Sequence, residues 1–271
     1  MLDLSSPIVM GVLNVTPDSF SDGGQFASIE SALRRAQAMH ADGAAVIDVG
    51  GESTRPGAPA VGEQEELDRV IPVIEAIRAE IPIAVSVDTS KPMVMRAAAE
   101  AGVALINDVC ALQADGALEA AADLQLPVCL MHMQGDPRTM QANPVYDNVV
   151  DEVSRYLAER VAQCEQAGLK RELLVVDPGF GFGKTPQQNM EILADLGQFL
   201  RIGCPVLIGV SRKSTIGAIT GRDVDERLAG SLAAAVAAVL QGAAIVRAHD
   251  VRETVDAVAV AACLVNNGEG A

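Results

Sequence analysis

Short apolar runs recur along the whole chain, each followed by a longer stretch in which apolar residues repeat every three or four positions. The runs are Ile8 to Val15, Ala45 to Val49, Ile83 to Val87, Ala104 to Asn107, Val128 to His132, Leu173 to Val176, Val206 to Val210 and Ala244 to Arg247. Each is nearly continuously apolar, the pattern of a parallel strand covered on both faces, and none is followed by a hairpin signal. Between them, Ser28 to Ala41 opens on a serine and places Ile29, Ala32, Leu33, Ala36 and Met39 at helical spacing. Glu63 to Ala79 does the same with Leu67, Val70, Ile71, Ile74 and Ile77, and Pro72 marks a place for a kink. Further helices are expected over Pro92 to Ala101, Asp115 to Leu124, Asp147 to Ala167, Gln188 to Arg201, Val224 to Gln241 and Val251 to Val265. Gly43, Gly102, Gly168 and Gly242 each stand just before a following strand, where a residue without Cβ readily closes a helix in the left-handed conformation.

Eight strands in strict alternation with eight helices predict one α/β domain over residues 1–271, a closed (β/α)8 TIM barrel. An open doubly wound sheet shares the alternation. Against it, no GxGxxG follows the first strand, and polar groups follow nearly every strand instead of gathering at one crossover.

Composition narrows the picture further. Hydrophobic residues make up 49%, yet Trp is absent and only 5 Phe and 2 Tyr occur, so the core must be built from Ala, Val, Ile, Leu and Met. The net charge of −16 opposes broad contact with nucleic acid or an anionic membrane, and an anionic substrate would need a local basic island. The 5 Cys are dispersed in mainly apolar settings without a CxxC pair, as expected of reduced thiols in a cytoplasmic protein. The beginning MLDLSSPIVMG lacks a basic n-region and does not read as a secretory signal. Leu228 to Leu240, among the longest apolar stretches, falls short of the roughly 20 residues a bilayer needs.

Candidate chemistry gathers where the strands end. Asn14, Asp48, Asp88, Asn107, His132, Asp177, the Ser211-Arg212-Lys213 group, Arg247 and His249 all sit at or just beyond C-terminal strand ends, the face on which barrel active sites form. A lone Asp there is ordinarily a helix cap, and Asp48 suits the support of its neighbours. The set as a whole reads as a pocket. The stretches NVTPDSFSDGGQF after Asn14 and GGESTRPGAPAVG after Val49 exceed ordinary βα connections and read as lids, with Phe20 suited to cover a substrate ring. DPGFGFGKT at 177 to 185 lacks the GxxxxGK[ST] spacing of a phosphate loop, and its glycines instead suit a backbone lying close beneath a flat ligand beside Phe182. His132 reads as a structural, hydrogen-bonded histidine, and no zinc or GxSxG pattern is present. Asn14 and Asp22 offer oxygen ligands suited to Mg²⁺ carried in by substrate phosphates.

The segment MGVLNVTPDSFSDGG at 10 to 24 closely resembles the first signature of the bacterial dihydropteroate synthases, and IDVGGESTRPGA resembles the second. SVDTSKP, IND, LMHMQGDPRTMQ, DPGFGFGKT, GVSRKS and RAHDV continue the resemblance in order over essentially the whole chain. It implies condensation of a dihydropterin diphosphate with 4-aminobenzoate, with Mg²⁺ as cofactor, in a sulfonamide-targeted, cytoplasmic homodimer. Transferred position by position, it gives the pterin to Asp88, Asn107, Asp177, Lys213 and Arg247, and the diphosphate to Asn14, Arg55, Arg247 and His249. It gives 4-aminobenzoate to Phe20, Thr54, Pro56, Phe182, Ser211 and the Arg212-Lys213 backbone. Asn14, Arg55, Asp88, Lys213 and His249 carry the catalytic expectation: diphosphate leaves first, and the arylamine then attacks a ring-stabilised cation. Two other readings remain, the methyltetrahydrofolate-binding part of a corrinoid methyltransferase and a noncatalytic pterin-binding paralogue. Diphosphate release dependent on 4-aminobenzoate separates them.

Overall fold

The computed structural model describes residues 2–16, 24–53, 60–135 and 139–268, with backbone alone for 24–28 and 266–268. Its strands are β1 Ile8–Asn14, β2 Val46–Gly50, β3 Ala84–Asp88, β4 Leu105–Asp108, β5 Val128–Met131, β6 Leu174–Asp177, β7 Leu207–Ile208 and β8 Ile245–Ala248. They pair in parallel in the order β6-β5-β4-β3-β2-β1-β8-β7. The seam between β7 and β6 is joined by a parallel bridge from Val176 to Val206 and by the Val176 amide, which donates to the Pro205 carbonyl at 3.0 Å. The sheet is therefore closed, as the alternation predicts.

Alternation along each strand divides the apolar residues into two sets. Ile47, Val49, Val85, Val87, Ile106, Val128, Leu130, Leu174, Val176, Ile208 and Val246 belong to the large core shared with the helices. Met10, Val46, Leu105, Cys129, Val175, Leu207 and Ile245 form a separate cluster that fills the barrel interior, with Leu2, Leu4 and Ile8 packed against it. Two residues further along the same strands, the inward position turns polar: Val46 gives way to Asp48, Leu105 to Asn107, Val175 to Asp177 and Ile245 to Arg247. An apolar floor thus lies directly beneath the charged mouth.

The helices among the described residues are α1 Gly24–Ala41, α2 Glu63–Glu80, α3 Pro92–Glu100, α4 Ala117–Leu124, α5 Val149–Gln166, α6 Pro186–Ala194, α7 Ser214–Thr220, α8 Leu228–Leu240 and α9 Val251–Gly268. Gly43, Gly102, Gly168 and Gly242 take φ of +94°, +88°, +99° and +94°, the left-handed closures anticipated for them. Pro72 lies within α2, which is assigned as one continuous helix. The helix expected over Gln188 to Arg201 divides at Asp195 into α6 and a 3-10 segment, Leu196–Ile202. It also starts earlier, because Thr185 and Gln188 form a reciprocal capping box with Pro186 in the first turn. The short α7 is absent from the sequence expectation. Gly217 in its middle makes room for Arg227, whose guanidinium would lie 2.4 Å from a Cβ there.

Candidate active site

Asp48 organises the mouth. It is completely buried, and its Oδ2 accepts from Asn107 Nδ2 at 3.0 Å and from Arg247 Nε at 2.6 Å. Arg247 Nη2 in turn donates to Asp88 Oδ2 at 2.8 Å. Four strand ends are thereby fastened into one network, with Asp48 in the supporting place its position suggested. Burial opposes the Arg247 charge, but Asp48 and Asp88 outweigh it and raise its pKa. Burial also pushes the Asp88 carboxyl up to about 7, against the pull of Arg247.

Asp177 ends β6 beside this network. One of its oxygens accepts the Gly179 amide at 2.7 Å, and burial raises its carboxyl to about 6 even though that amide, Lys213, Lys184 and Arg247 oppose the rise. Lys213 stands just before α7, with Nζ 4.0 Å from the centroid of the Phe182 ring. Burial, with the nearby Arg247 charge, lowers its pKa to about 8. A Cβ on Gly181 would come within 3.0 Å of Lys213 Cδ, and Gly181 also takes φ +85°, so glycine there serves both the turn and the close approach.

His249 and Ser211 meet from neighbouring strand ends. Ser211 Oγ accepts the His249 amide and lies 3.1 Å from His249 Nδ1. A hydroxyl that already accepts from that amide can give its own proton to Nδ1, which leaves Nε2 as the protonated ring nitrogen. Burial and the charges of Arg247, Arg212 and Lys213 lower the His249 pKa to about 4, so the ring is neutral at pH 7. Arg212 points its charge elsewhere. Its guanidinium is paired with Asp250, its amide donates to Ser231 Oγ and its carbonyl accepts from Arg227. With φ +58°, it makes the sharp turn between Ser211 and Lys213.

Asn14 ends β1 with no side-chain hydrogen bond to a described residue. A Cβ on Gly50 would stand 3.6 Å from both Asn14 Oδ1 and Asp88 Oδ2, so the absent side chain keeps the space between them open. An amide oxygen is a hard donor of the kind Mg²⁺ takes, whereas Asp88 Oδ2 is already paired with Arg247. Among the described residues no group of three or more His, Cys, Asp or Glu is arranged to hold a metal by itself. Phe20, Asp22, Thr54, Arg55 and Pro56 lie outside the described residues.

Two features escape a reading of the sequence. Met131, Met140 and Phe182, with Val109 and Met133 against them, form a small apolar cluster apart from the main core. Met131 occupies the inward position of β5 level with Asp177, yet in the chain it only extends an apolar run. The second is a carboxylate–ammonium group on the rim, where Lys91 Nζ is paired with both Glu52 and the fully buried Glu66. Glu52 also accepts the Val61 amide, which ties the two ends of the stretch between β2 and α2 together.

A family model described as pterin binding enzyme matches residues 10–249. The dihydropteroate synthase of Escherichia coli strain K12 is 57% identical over 259 residues, covering 96% of this chain and 92% of the relative. The solved Yersinia pestis dihydropteroate synthase in complex with a sulfonamide drug superposes with a TM-score of 0.92 at 51% identity, covering 100% of this chain and 97% of that one. The Xanthomonas albilineans dihydropteroate synthase in complex with 7,8-dihydropteroate gives a TM-score of 0.89 at 48% identity, covering 97% and 95%.

Proposed function

The chain belongs to the pterin-binding enzyme family, and we propose that its barrel mouth performs the condensation of the dihydropteroate synthases it matches. The chain is a transferase of folate biosynthesis. It joins (7,8-dihydropterin-6-yl)methyl diphosphate to 4-aminobenzoate, giving 7,8-dihydropteroate and diphosphate. The observation that carries this reading is the convergence of Asp88, Asn107, Asp177, Lys213 and Arg247 just above one apolar floor.

An aminopyrimidinone ring offers neighbouring donors and acceptors along one edge. The free oxygen of Asp177 accepts from the ring 2-amino and N3 groups, while Asn107 and Asp88 serve the other polar edge. Lys213 reaches the carbonyl and N5 side, and the Arg247 guanidinium lies on the ring. Asn14, Arg247 and the His249 Nε2–H face the diphosphate, joined through the second signature by Arg55. Asn14, with Asp22 from the first signature, would hold Mg²⁺, which would supply charge neutralisation for the leaving group. Phe182, Ser211 and the Lys213 backbone, with Phe20, Thr54 and Pro56 from the signatures, take 4-aminobenzoate.

The exocyclic C–O bond breaks first, and diphosphate leaves with the bonding pair. The dihydropterin ring spreads the positive charge, and Asp88 and Asp177 favour it electrostatically. The arylamine nitrogen then donates its lone pair to the methylene carbon and loses a proton to water. Wild-type enzyme with both substrates and Mg²⁺ is expected to release diphosphate and dihydropteroate in equal amounts, and Lys213→Ala to lose most of that turnover. Absence of product from folded wild type sinks the assignment. Without arylamine, positional isotope exchange in the pterin diphosphate is expected, and its strict absence rules out a separable cation.

Binding carries a pH signature. Asp177 recognises the ring as a carboxylate and is raised to about 6, and Asp88 on the other edge is raised to about 7, so affinity for a neutral pterin should climb as pH rises through both and level off above them. Each group contributes at most roughly tenfold per pH unit below its own value, the limit for one proton. Calorimetric titrations between about pH 5 and 8 test the sign, and Asp177→Asn should remove the lower of the two steps while leaving the upper.

No described helix is long and apolar enough to cross a membrane. We place the reaction in the cytoplasm, a reading supported by the thiols of Cys110, Cys129, Cys164 and Cys204. A homodimer is supported by exposed apolar residues on the later helices, Ile219, Leu228 and Leu264 among them. The Ala-rich face of α8 does not add to that surface, because Ala234, Ala235, Ala238 and Val239 are buried.

A further inference from the structure

Lys184 is the lysine of the sequence Gly183-Lys184-Thr185, which invites a phosphate-binding role, yet its side chain turns into the protein. It is 2% exposed, and its Nζ lies 3.0 Å from His132 Nδ1, 3.0 Å from the Gly179 carbonyl oxygen and 2.9 Å from the Phe182 carbonyl oxygen. An ammonium has three protons, and here three acceptors meet it. His132 can accept at Nδ1 only as the neutral ring with its proton on Nε2. The imidazole packs in turn against the Tyr156 ring in a T-shaped pair, with centroids 4.8 Å apart.

The two carbonyls belong to the loop between β6 and α6, and other groups hold the same loop. Gln141 Nε2 donates to the Gly181 carbonyl at 2.7 Å, Tyr146 Oη donates to the Gly183 carbonyl at 2.9 Å, and Asn189 Oδ1 accepts the Gly181 amide at 2.7 Å. The loop also lies against the backbone that follows β5. A Cβ on Gly179 would stand 1.9 Å from the His132 carbonyl oxygen, and one on Gly183 2.6 Å from the Gln134 carbonyl oxygen. The loop carries two working contacts outward, the Gly179 amide on Asp177 and the Phe182 ring beneath Lys213.

We infer that Lys184 is a positioning residue: its ammonium pins the loop from beneath, so that Asp177 and the Phe182–Lys213 pair face the substrates correctly, and it does not bind phosphate. The inference rests on the functional reading above for what the loop positions, and on hydrogen-bond geometry alone for the pin itself. Lys184→Met keeps an unbranched side chain, one atom shorter, and removes all three donors.

Losing hydrogen bonds made by a charged donor is expected to speed amide hydrogen exchange of segment 178–185 in the ligand-free protein by at least about tenfold, and to raise KM for 4-aminobenzoate by roughly tenfold. Inorganic diphosphate should bind the variant as it binds wild type. Unchanged exchange with unchanged KM overturns the pin, and a tenfold loss of diphosphate affinity overturns it in favour of an anion ligand. If Lys184→Met does not fold, Tyr146→Phe and Gln141→Ala decide the matter, each expected to speed exchange in the same segment, and no acceleration in either overturns the proposal. The exchange measurement needs no substrate, so a wild type that makes no dihydropteroate would defeat the functional reading while leaving the pin to be judged separately.

Discussion

Arg247→Met is expected to make no detectable dihydropteroate and to unfold at a free energy lower by ~3–5 kcal/mol, the usual cost of stripping one partner from a buried charge network. Asp48 is completely buried, its Oδ1 has no hydrogen-bond partner among the described residues, and Oδ2 accepts from Arg247 and Asn107. Methionine fills much of the same volume, so the loss reports charge and hydrogen bonding more than a cavity. Denaturant titration measures it. Asp48→Asn in the Arg247→Met background should recover part of the stability by removing the orphaned charge, without restoring turnover. A single substitution that keeps wild-type stability would show that the network does not hold the strand ends together.

Asp177→Asn is expected to fold normally and to lower kcat/KM for the pterin diphosphate by roughly 100- to 1,000-fold, the effect of weakening two charge-assisted hydrogen bonds. Folding is spared because the amide oxygen can still accept the Gly179 N–H, now made at 2.7 Å. Binding suffers because the remaining group becomes an NH₂ donor facing the N–H donors of the ring. Steady-state kinetics with calorimetric pterin binding check both parts. Retention of activity within about threefold would place recognition of the ring elsewhere.

The barrel was legible because buried parallel strands write themselves as continuous apolar runs, and the observed strands fall within or a residue beyond the expected ones. β7 is only Leu207–Ile208, shorter than its apolar run, because pairing there is limited by the seam rather than by hydropathy. Helix α7 was invisible: a seven-residue piece with Thr215, Ile216 and Gly217 has neither length nor amphipathic period to announce it. Polar site residues stood out because a charge ending an apolar strand is conspicuous. Met131 and Val109 did not, since an apolar wall of a pocket and an apolar core share one alphabet. Lys184 illustrates the opposite difficulty. Glycine spacing excludes a phosphate loop around it without assigning the lysine a task, and only three-dimensional counting of acceptors shows where its protons go.

The pairing of His132 with Tyr146 and Tyr156 has an optical consequence. These are the only 2 tyrosines, and the chain has no tryptophan, so nearly all of its ultraviolet emission arises from one small neighbourhood beside the loop after β6. The natural chromophores report local events at that corner of the mouth, and they leave the rest of the barrel spectroscopically dark for any tryptophan introduced elsewhere.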